Sequence, residues 1–318
     1  MAHPKNYQRT ILVTGGAGNI GGALANRLAQ DPDNYVVVVD DLSTGSVRKL
    51  PVQHHGNCRF VKLNCNNFGA LSSVMTSMAF DYVFHYAAVV GVERTLNNPL
   101  AVLGDIDGIR NILDLAKNTG VKRVFYSSSS EVYGEPVEFP QNEATTPLNS
   151  RLPYAIVKNV GESFFKSYHR EFGLSYTIFR FFNTYGPRQS EDFVLPKFVG
   201  AALAGAPLKI YGDGSQTRTF CYIDDNTDAT VRALYGNMLV DDTVNLGSDR
   251  EITILELAKI VKQRTQSPSE IVHLPPLPEG DMTRRCPDIS KMRELLARDL
   301  TSLEVGIDRL IESKQLTK

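Results

Sequence analysis

Short apolar runs alternate with longer stretches of helical periodicity through the first half of the chain. Thr10 to Thr14, Tyr35 to Val39, Cys58 to Leu63, Asp81 to His85, Val121 to Tyr126 and Leu174 to Arg180 read as buried strands. Between them, helical spacing is expected from the glycine-rich turn after Thr14 through Leu28, around Ala70 to Met78, from Pro99 to Asn118 and from Pro153 to Phe172. The last of these begins with a proline suited to a first helical turn and carries Tyr154, Val157, Phe164, Phe165 and Tyr168 at helical intervals. Strand and helix in strict alternation predict an α/β fold: a doubly wound parallel sheet with right-handed crossovers. Beyond Arg180 the texture changes to proline-punctuated segments, with a helix expected over Asp225 to Met238, a strand over Thr243 to Leu246 and an amphipathic helix near the end. We therefore expect a first domain over residues 1–180 with a returning segment near 225–250, and a smaller C-terminal α/β lobe over 181–224 and 251–318.

The turn after the first strand reads Gly15-Gly16-Ala17-Gly18-Asn19-Ile20-Gly21-Gly22. Glycines at 15 or 16, 18 and 21, with a strand before and a helix after, let backbone amides at a helix amino terminus approach a pyrophosphate with no Cβ in the way. The second strand ends in Asp40, at the spacing of an acid that accepts from a ribose 2′-hydroxyl and repels a 2′-phosphate. The first domain is thus expected to be a Rossmann domain, with NAD favoured over NADP.

Composition narrows the partners. With 42% hydrophobic and 22% charged residues and a net charge of −1, the chain offers no electrostatic case for nucleic acid or an anionic membrane. No apolar run approaches the roughly 20 residues needed to span a bilayer. The polar start, Met1 to Arg9, lacks a signal-peptide core, which makes the cytoplasm the expected location. Cys58, Cys65, Cys221 and Cys286 show no metal-binding or paired spacing and are read as reduced, so no metal is expected.

Candidate chemistry concentrates between Ser127 and Lys158. The serines of Ser127-Ser128-Ser129-Ser130-Glu131-Val132-Tyr133-Gly134 are expected to leave the carboxyl end of a strand, where open α/β sheets place their chemistry. Tyr154 and Lys158 stand four residues apart on one helical face. A tyrosine becomes a useful base near neutral pH only if its pKa falls from about 10, and a neighbouring ammonium, joined by an oxidised nicotinamide, is one way to lower it. His85 is read as a structural histidine at a strand end. In the second lobe, Arg218, Arg284 and Arg285 are candidates for a diphosphate, because guanidinium forks match phosphate oxygens, and Glu279-Gly280-Asp281 lies in the same stretch.

These motifs together resemble the extended short-chain dehydrogenase/reductase family, specifically its NAD-dependent nucleotide-sugar epimerases, dehydratases and decarboxylases. The resemblance rests on Thr14 to Gly21, Asp40-Asp41-Leu42-Ser43-Thr44-Gly45, Ser127 to Gly134, Tyr154 with Lys158, Arg180-Phe181-Phe182-Asn183, Tyr211 to Arg218 and Arg284 to Lys291. It implies NAD held by Gly15, Gly18, Asn19, Ile20, Gly21, Asp40, Asp41, Ser43, Thr44, Gly45, Asn64, Cys65, Tyr86, Ala87, Ala88, Ser127, Tyr154 and Lys158. It further implies Tyr154 as the base at a sugar hydroxyl, Lys158 on the nicotinamide ribose, and Ser129 on the same sugar oxygen. Ser130, Asn183, Lys197, Tyr211, Arg218, Arg284 and Arg285 would contact a nucleotide-diphosphate sugar. Two departures stand out: Asn64 where many members have an aspartate, and Asp105 where many have an asparagine. The helices Pro99 to Asn118 and Pro153 to Phe172 correspond to those through which relatives dimerise as a four-helix bundle, so a homodimer is implied.

The reaction is less sharply read. All members start by oxidising a sugar carbon, usually C4; a 4-epimerase then needs only Tyr154 and Ser129, whereas chemistry at C5 needs a further acid/base group. Glu131 is that candidate, and it favours 4,6-dehydration or decarboxylation of a UDP-glucuronate-type substrate. A nucleotide-sugar 4-epimerase is the alternative, and a catalytically idle NAD-binding regulator is a third reading.

Overall fold

The computed structural model describes residues 7–135, 137–276 and 284–316. Glu279-Gly280-Asp281 lies outside the described residues. The first half winds β1 (Arg9–Thr14), α1 (Asn19–Ala29), β2 (Asn34–Asp40), β3 (Cys58–Lys62), α2 (Phe68–Ser77), β4 (Tyr82–His85), α3 (Val92–Asn97), α4 (Pro99–Thr119), β5 (Arg123–Ser129), α5 (Pro153–Phe172) and β6 (Ser175–Phe181). Then come β7 (Thr184–Tyr185), α6 (Val194–Leu203), β8 (Leu208–Tyr211), β9 (Thr217–Thr219), β10 (Cys221–Tyr222), α7 (Ile223–Tyr235) and β11 (Asp242–Leu246). The chain closes with β12 (Glu251–Thr253), α8 (Ile254–Thr265), β13 (Ile271–Leu274), α9 (Ser290–Leu296) and α10 (Leu303–Leu316).

Among the described residues seven strands form one sheet, all parallel, in the order β3-β2-β1-β4-β5-β6-β11. The order reverses between β1 and β4, so the carboxyl ends of those strands open onto the crevice where such sheets bind ligands. Alternation within each strand divides the core. Ile11, Val13, Val36 and Val38 pack against α1 and α7 on one face, while Leu12, Val37 and Val39 face the side carrying α2, α4 and α5. A separate core unites Leu195, Phe198 and Val199 of α6 with Leu257, Ala258 and Val261 of α8 and Ile307 and Leu310 of α10. That lobe contains three two-stranded pairings: β7 with β10, β8 with β13, and antiparallel β9 with β12. No helix among the described residues is long and apolar enough to cross a membrane.

Two element ends fall three residues from their expected positions. Strand β5 does not stop at Tyr126 but runs through the serines, because β6 pairs with it as far as Ser129 opposite Phe181. Helix α7 ends at Tyr235 rather than Met238: Asn237, Leu239 and Asp241 take left-handed φ angles of 49°, 52° and 58°, which a helix cannot continue through.

Candidate active site

A cavity of about 700 Å³ opens above the carboxyl ends of β1, β2, β4 and β5. Its floor is the turn after β1. Gly15 has φ +69°, and a Cβ there would sit 2.6 Å from the Ala87 amide nitrogen; one on Gly21 would sit 2.3 Å from the Gly15 carbonyl oxygen. The two glycines therefore allow β1, α1 and the segment after β4 to close on one another. Helix α1 starts at Asn19 with no side chain capping it, so its first amides face the cavity unclaimed by a cap. At the end of β2, Asp40 accepts from the Ala17 amide (2.9 Å) with one oxygen and from the Leu42 amide (2.8 Å) with the other. An uncapped helix start, a glycine floor and a fixed carboxylate on the neighbouring strand fit a dinucleotide, with the pyrophosphate at α1 and the adenosine ribose at Asp40.

The cavity wall includes Gly15, Gly18, Asn19, Ile20, Gly21, Asp40, Asp41, Ser43, Thr44, Asn64, Cys65, Tyr86, Ala87 and Ala88. Gly45 does not line it; a Cβ on Gly45 would lie 2.7 Å from the Asp40 carboxylate, so this glycine backs the acid from behind. The side chain of Asn64 donates to Asp41 across a long 3.4 Å contact. His85 also borders the cavity, its Nδ1 2.9 Å from the Thr14 hydroxyl, which in turn accepts from the Tyr86 and Ala87 amides. Burial, and then the charge of Lys158, push the His85 imidazole down to about 3. Since an unfolded histidine takes up its proton near 6.5, the folded chain binds fewer protons between pH 6.5 and 3 and loses stability as pH falls through that window. His85→Gln should reduce the acid-induced loss by roughly 1.4 kcal/mol per pH unit below 6.5, read as the difference between wild-type and variant unfolding free energies.

At the other end of the cavity stand Ser127, Ser129, Ser130, Glu131, Tyr154 and Lys158. Lys158 is buried and donates to the Ser127 carbonyl oxygen (2.6 Å), with the Ser127 hydroxyl at 3.4 Å and the Tyr154 ring centroid at 5.7 Å. Burial pushes its ammonium down to about 8, partly opposed by Asp105. Asp105 is itself raised by burial, though the Val89 amide donates to it at 2.7 Å. Tyr154 does not show the lowered pKa that the Tyr-x-x-x-Lys spacing suggests. Burial pushes its phenol upward, a hydrogen bond with Ser129 pulls the other way, and Glu131 and Asp105 add further upward pressure. The protein groups alone thus favour the protonated phenol, whose ring is partly buried at the cavity wall, while the Lys158 ammonium donates to the Ser127 carbonyl.

Glu131 is the second residue of the 3-10 turn Ser130–Tyr133 that follows β5, and its backbone amide donates to the Ser129 hydroxyl. Its carboxylate meets Arg285 at 2.7 Å, and Arg285 Nη1 lies 3.5 Å from the Ser130 hydroxyl. Arg285 is buried and lines the cavity. The three arginines proposed from sequence separate here. Arg284 forks onto Glu251 at 2.7 and 2.6 Å and stacks over Phe139 at 4.1 Å, away from the cavity wall. Arg218 is buried in β9, where its Nη1 donates to the Thr217 carbonyl, and it does not line the cavity; nor do the exposed Lys197 and the half-exposed Tyr211. Asn183 does line it, in a left-handed conformation (φ 26°), with its amide donating to the Thr219 carbonyl at 3.0 Å. Sequence reasoning passed over Gln189, Phe193 and Phe220, which the second lobe contributes to the wall. No periodicity or spacing singles them out.

A doubly wound sheet with a dinucleotide floor, and a serine, a tyrosine and a lysine at its far end, defines an NAD-dependent nucleotide-sugar enzyme. The chain belongs to the NAD dependent epimerase/dehydratase family, whose sequence model matches residues 11–247. It is 37% identical over 296 residues to UDP-glucuronic acid decarboxylase 4 of Arabidopsis thaliana, covering 90% of this chain and 64% of that protein. It is 35% identical over 303 residues to UDP-N-acetyl-alpha-D-glucosaminuronate decarboxylase of Bacillus cytotoxicus, covering 91% of this chain and 92% of that one. Among solved structures, UDP-glucose 4-epimerase of Thermotoga maritima with UDP-glucose superposes with a TM-score of 0.90 at 33% identity, covering 97% of this chain and 99% of that chain.

Proposed function

We propose that the protein oxidises a UDP-hexuronic acid at C4 and decarboxylates it at C5. The observation that carries this reading is the Arg285–Glu131 pair inside the cavity, beside Ser129 and Tyr154. A guanidinium fork facing a sugar site matches a carboxylate bidentately, and the carboxylate of a hexuronate is the substrate group that would share it. NAD, held at the glycine turn and Asp40, would supply the acceptor and later donor of the C4 hydride. Tyr154 receives the C4 hydroxyl proton and Ser129 holds the same oxygen. Lys158, held by the Ser127 carbonyl, would contact the nicotinamide ribose. The resulting 4-keto-hexuronate is a β-keto acid: its C5–C6 bond breaks, the electron pair passes into the C4 carbonyl, and carbon dioxide leaves. Glu131 is placed to manage the proton that then adds to C5. Residues 1–180 with the returning segment would bind NAD, and the lobe of 181–224 and 251–318 the UDP-sugar, in keeping with the contribution of Asn183, Gln189, Phe193, Phe220 and Arg285 to one cavity. We further propose a homodimer through a four-helix bundle, in the cytoplasm. Helices α4 and α5 pack together and leave Leu100, Leu103, Ile156 and Phe172 exposed, which suits a second copy; light scattering reads the mass.

The test is incubation with UDP-glucuronic acid, UDP-N-acetylglucosaminuronic acid, UDP-glucose and dTDP-glucose, reading product mass. Loss of carbon dioxide from a hexuronate is expected, and Glu131→Gln should slow it on the order of a hundredfold while cofactor reduction on mixing persists. A product of unchanged mass with C4 inverted would replace this reading with a 4-epimerase, the activity named for the Thermotoga structure. Loss of water would make it a dehydratase, and no product with any of them would favour a regulator.

A further inference from the structure

Behind the cavity wall a chain of buried polar groups connects elements far apart in sequence. Arg180 on β6 and Glu162 on α5, both almost wholly buried, form a two-pronged ion pair at 2.9 and 2.7 Å. Glu162 also accepts from the hydroxyl of Ser128, itself a cavity-lining residue, at 2.7 Å. The remaining arm of Arg180 donates to the Tyr133 hydroxyl at 2.7 Å, and that hydroxyl donates to the Asn245 side-chain oxygen at 2.8 Å. The Asn245 amide then donates to the Gln141 carbonyl (2.9 Å) and the Asp288 carbonyl (3.2 Å). Gln141 in turn holds the segment that follows Arg285: its amide donates to the Cys286 carbonyl and its carbonyl accepts from the Asp288 amide, both at 2.8 Å.

The helix that bears Tyr154 and Lys158, the turn that bears Glu131 and the strap that bears Arg285 therefore meet in one network. Tyr133 is the joint, since its hydroxyl is the group shared by Arg180 and Asn245. We infer that Tyr133 is a positioning residue that sets the Arg285 strap in register with Glu131 through Asn245. A fully buried hydroxyl with one donor and one acceptor role filled has no solvent to replace either partner. Its loss frees the strap without touching the dinucleotide floor or the Tyr154–Ser129 contact. The catalytic half of this inference rests on Arg285 and Glu131 acting at C5; the mechanical half does not.

The test is Tyr133→Phe in the full-length holoenzyme, with Asn245→Ser as a second variant that keeps the Tyr133 hydroxyl on Arg180 but removes the amide donors to Gln141 and Asp288. Deuterium uptake should rise in peptides covering 284–292 and stay at the wild-type level across 153–172. Carbon dioxide release from UDP-glucuronic acid should fall about tenfold or more in kcat with little change in KM, while the rate of cofactor reduction on mixing is retained. Equal losses of cofactor reduction and carbon dioxide release, or wild-type uptake over 284–292 in both variants, overturn the inference. If the wild-type protein releases no carbon dioxide, the proposed reaction fails, and the uptake data alone decide whether Tyr133 couples to the strap.

Discussion

Tyr154→Phe is expected to lower turnover by roughly 10³- to 10⁴-fold and to leave the protein folded with its full complement of NAD. The ring and its burial are retained; only the oxygen that hydrogen-bonds Ser129 is lost. The size of the effect follows from the electrostatics of the site. Burial and two carboxylates work against ionising this phenol, and the nearest ammonium is engaged with a carbonyl. On the proposed reading, the positive charge an oxidised nicotinamide would bring is what favours proton acceptance by Tyr154. Bound NAD per chain, measured after denaturation, and steady-state turnover together check this. Full activity in the variant would remove Tyr154 from the chemistry.

Arg285→Ala carries the second large effect, a loss of about 10²- to 10³-fold in carbon dioxide release, the scale seen when a preorganised charge at a reacting group is removed. In the native chain its fork meets Glu131 at 2.7 Å with little access to water, so the alanine leaves a carboxylate with no cation beside it and a hexuronate with no partner. Retained cofactor reduction with absent carbon dioxide, followed by rapid quench and mass analysis, would place the block after C4 oxidation. A variant that still released carbon dioxide at the native rate would move the carboxylate-binding role elsewhere.

The sheet was legible in the sequence because each strand is a short, nearly continuous apolar run and each helix shows its own period; Ile11 and Leu12 point to opposite faces and both are buried. The glycine turn was legible because close backbone approach demands glycine at that spacing, and Asp40 because it closes the second apolar strand. The end of β5 is not legible because serines carry little strand signal, and pairing with β6 is what holds them in the sheet. Sequence alone groups Arg285 with Arg218 and Arg284 as a phosphate-binding candidate. Its pairing with Glu131 depends on how the strap before α9 returns to β11, which no local pattern encodes. The short pairings of the second lobe left no trace either, being two to four residues long and held by packing against α6, α8 and α10.

The meeting of Glu131 with Arg285 also orders events during biosynthesis. The seven-stranded sheet is complete once Leu246 has been made, so a nascent chain has its dinucleotide floor, Tyr154 and Lys158 before residue 285 is synthesised. On the proposed reading, competence at C5 needs Arg285, which follows every strand of that sheet in the chain, so this part of the site would be the last to assemble.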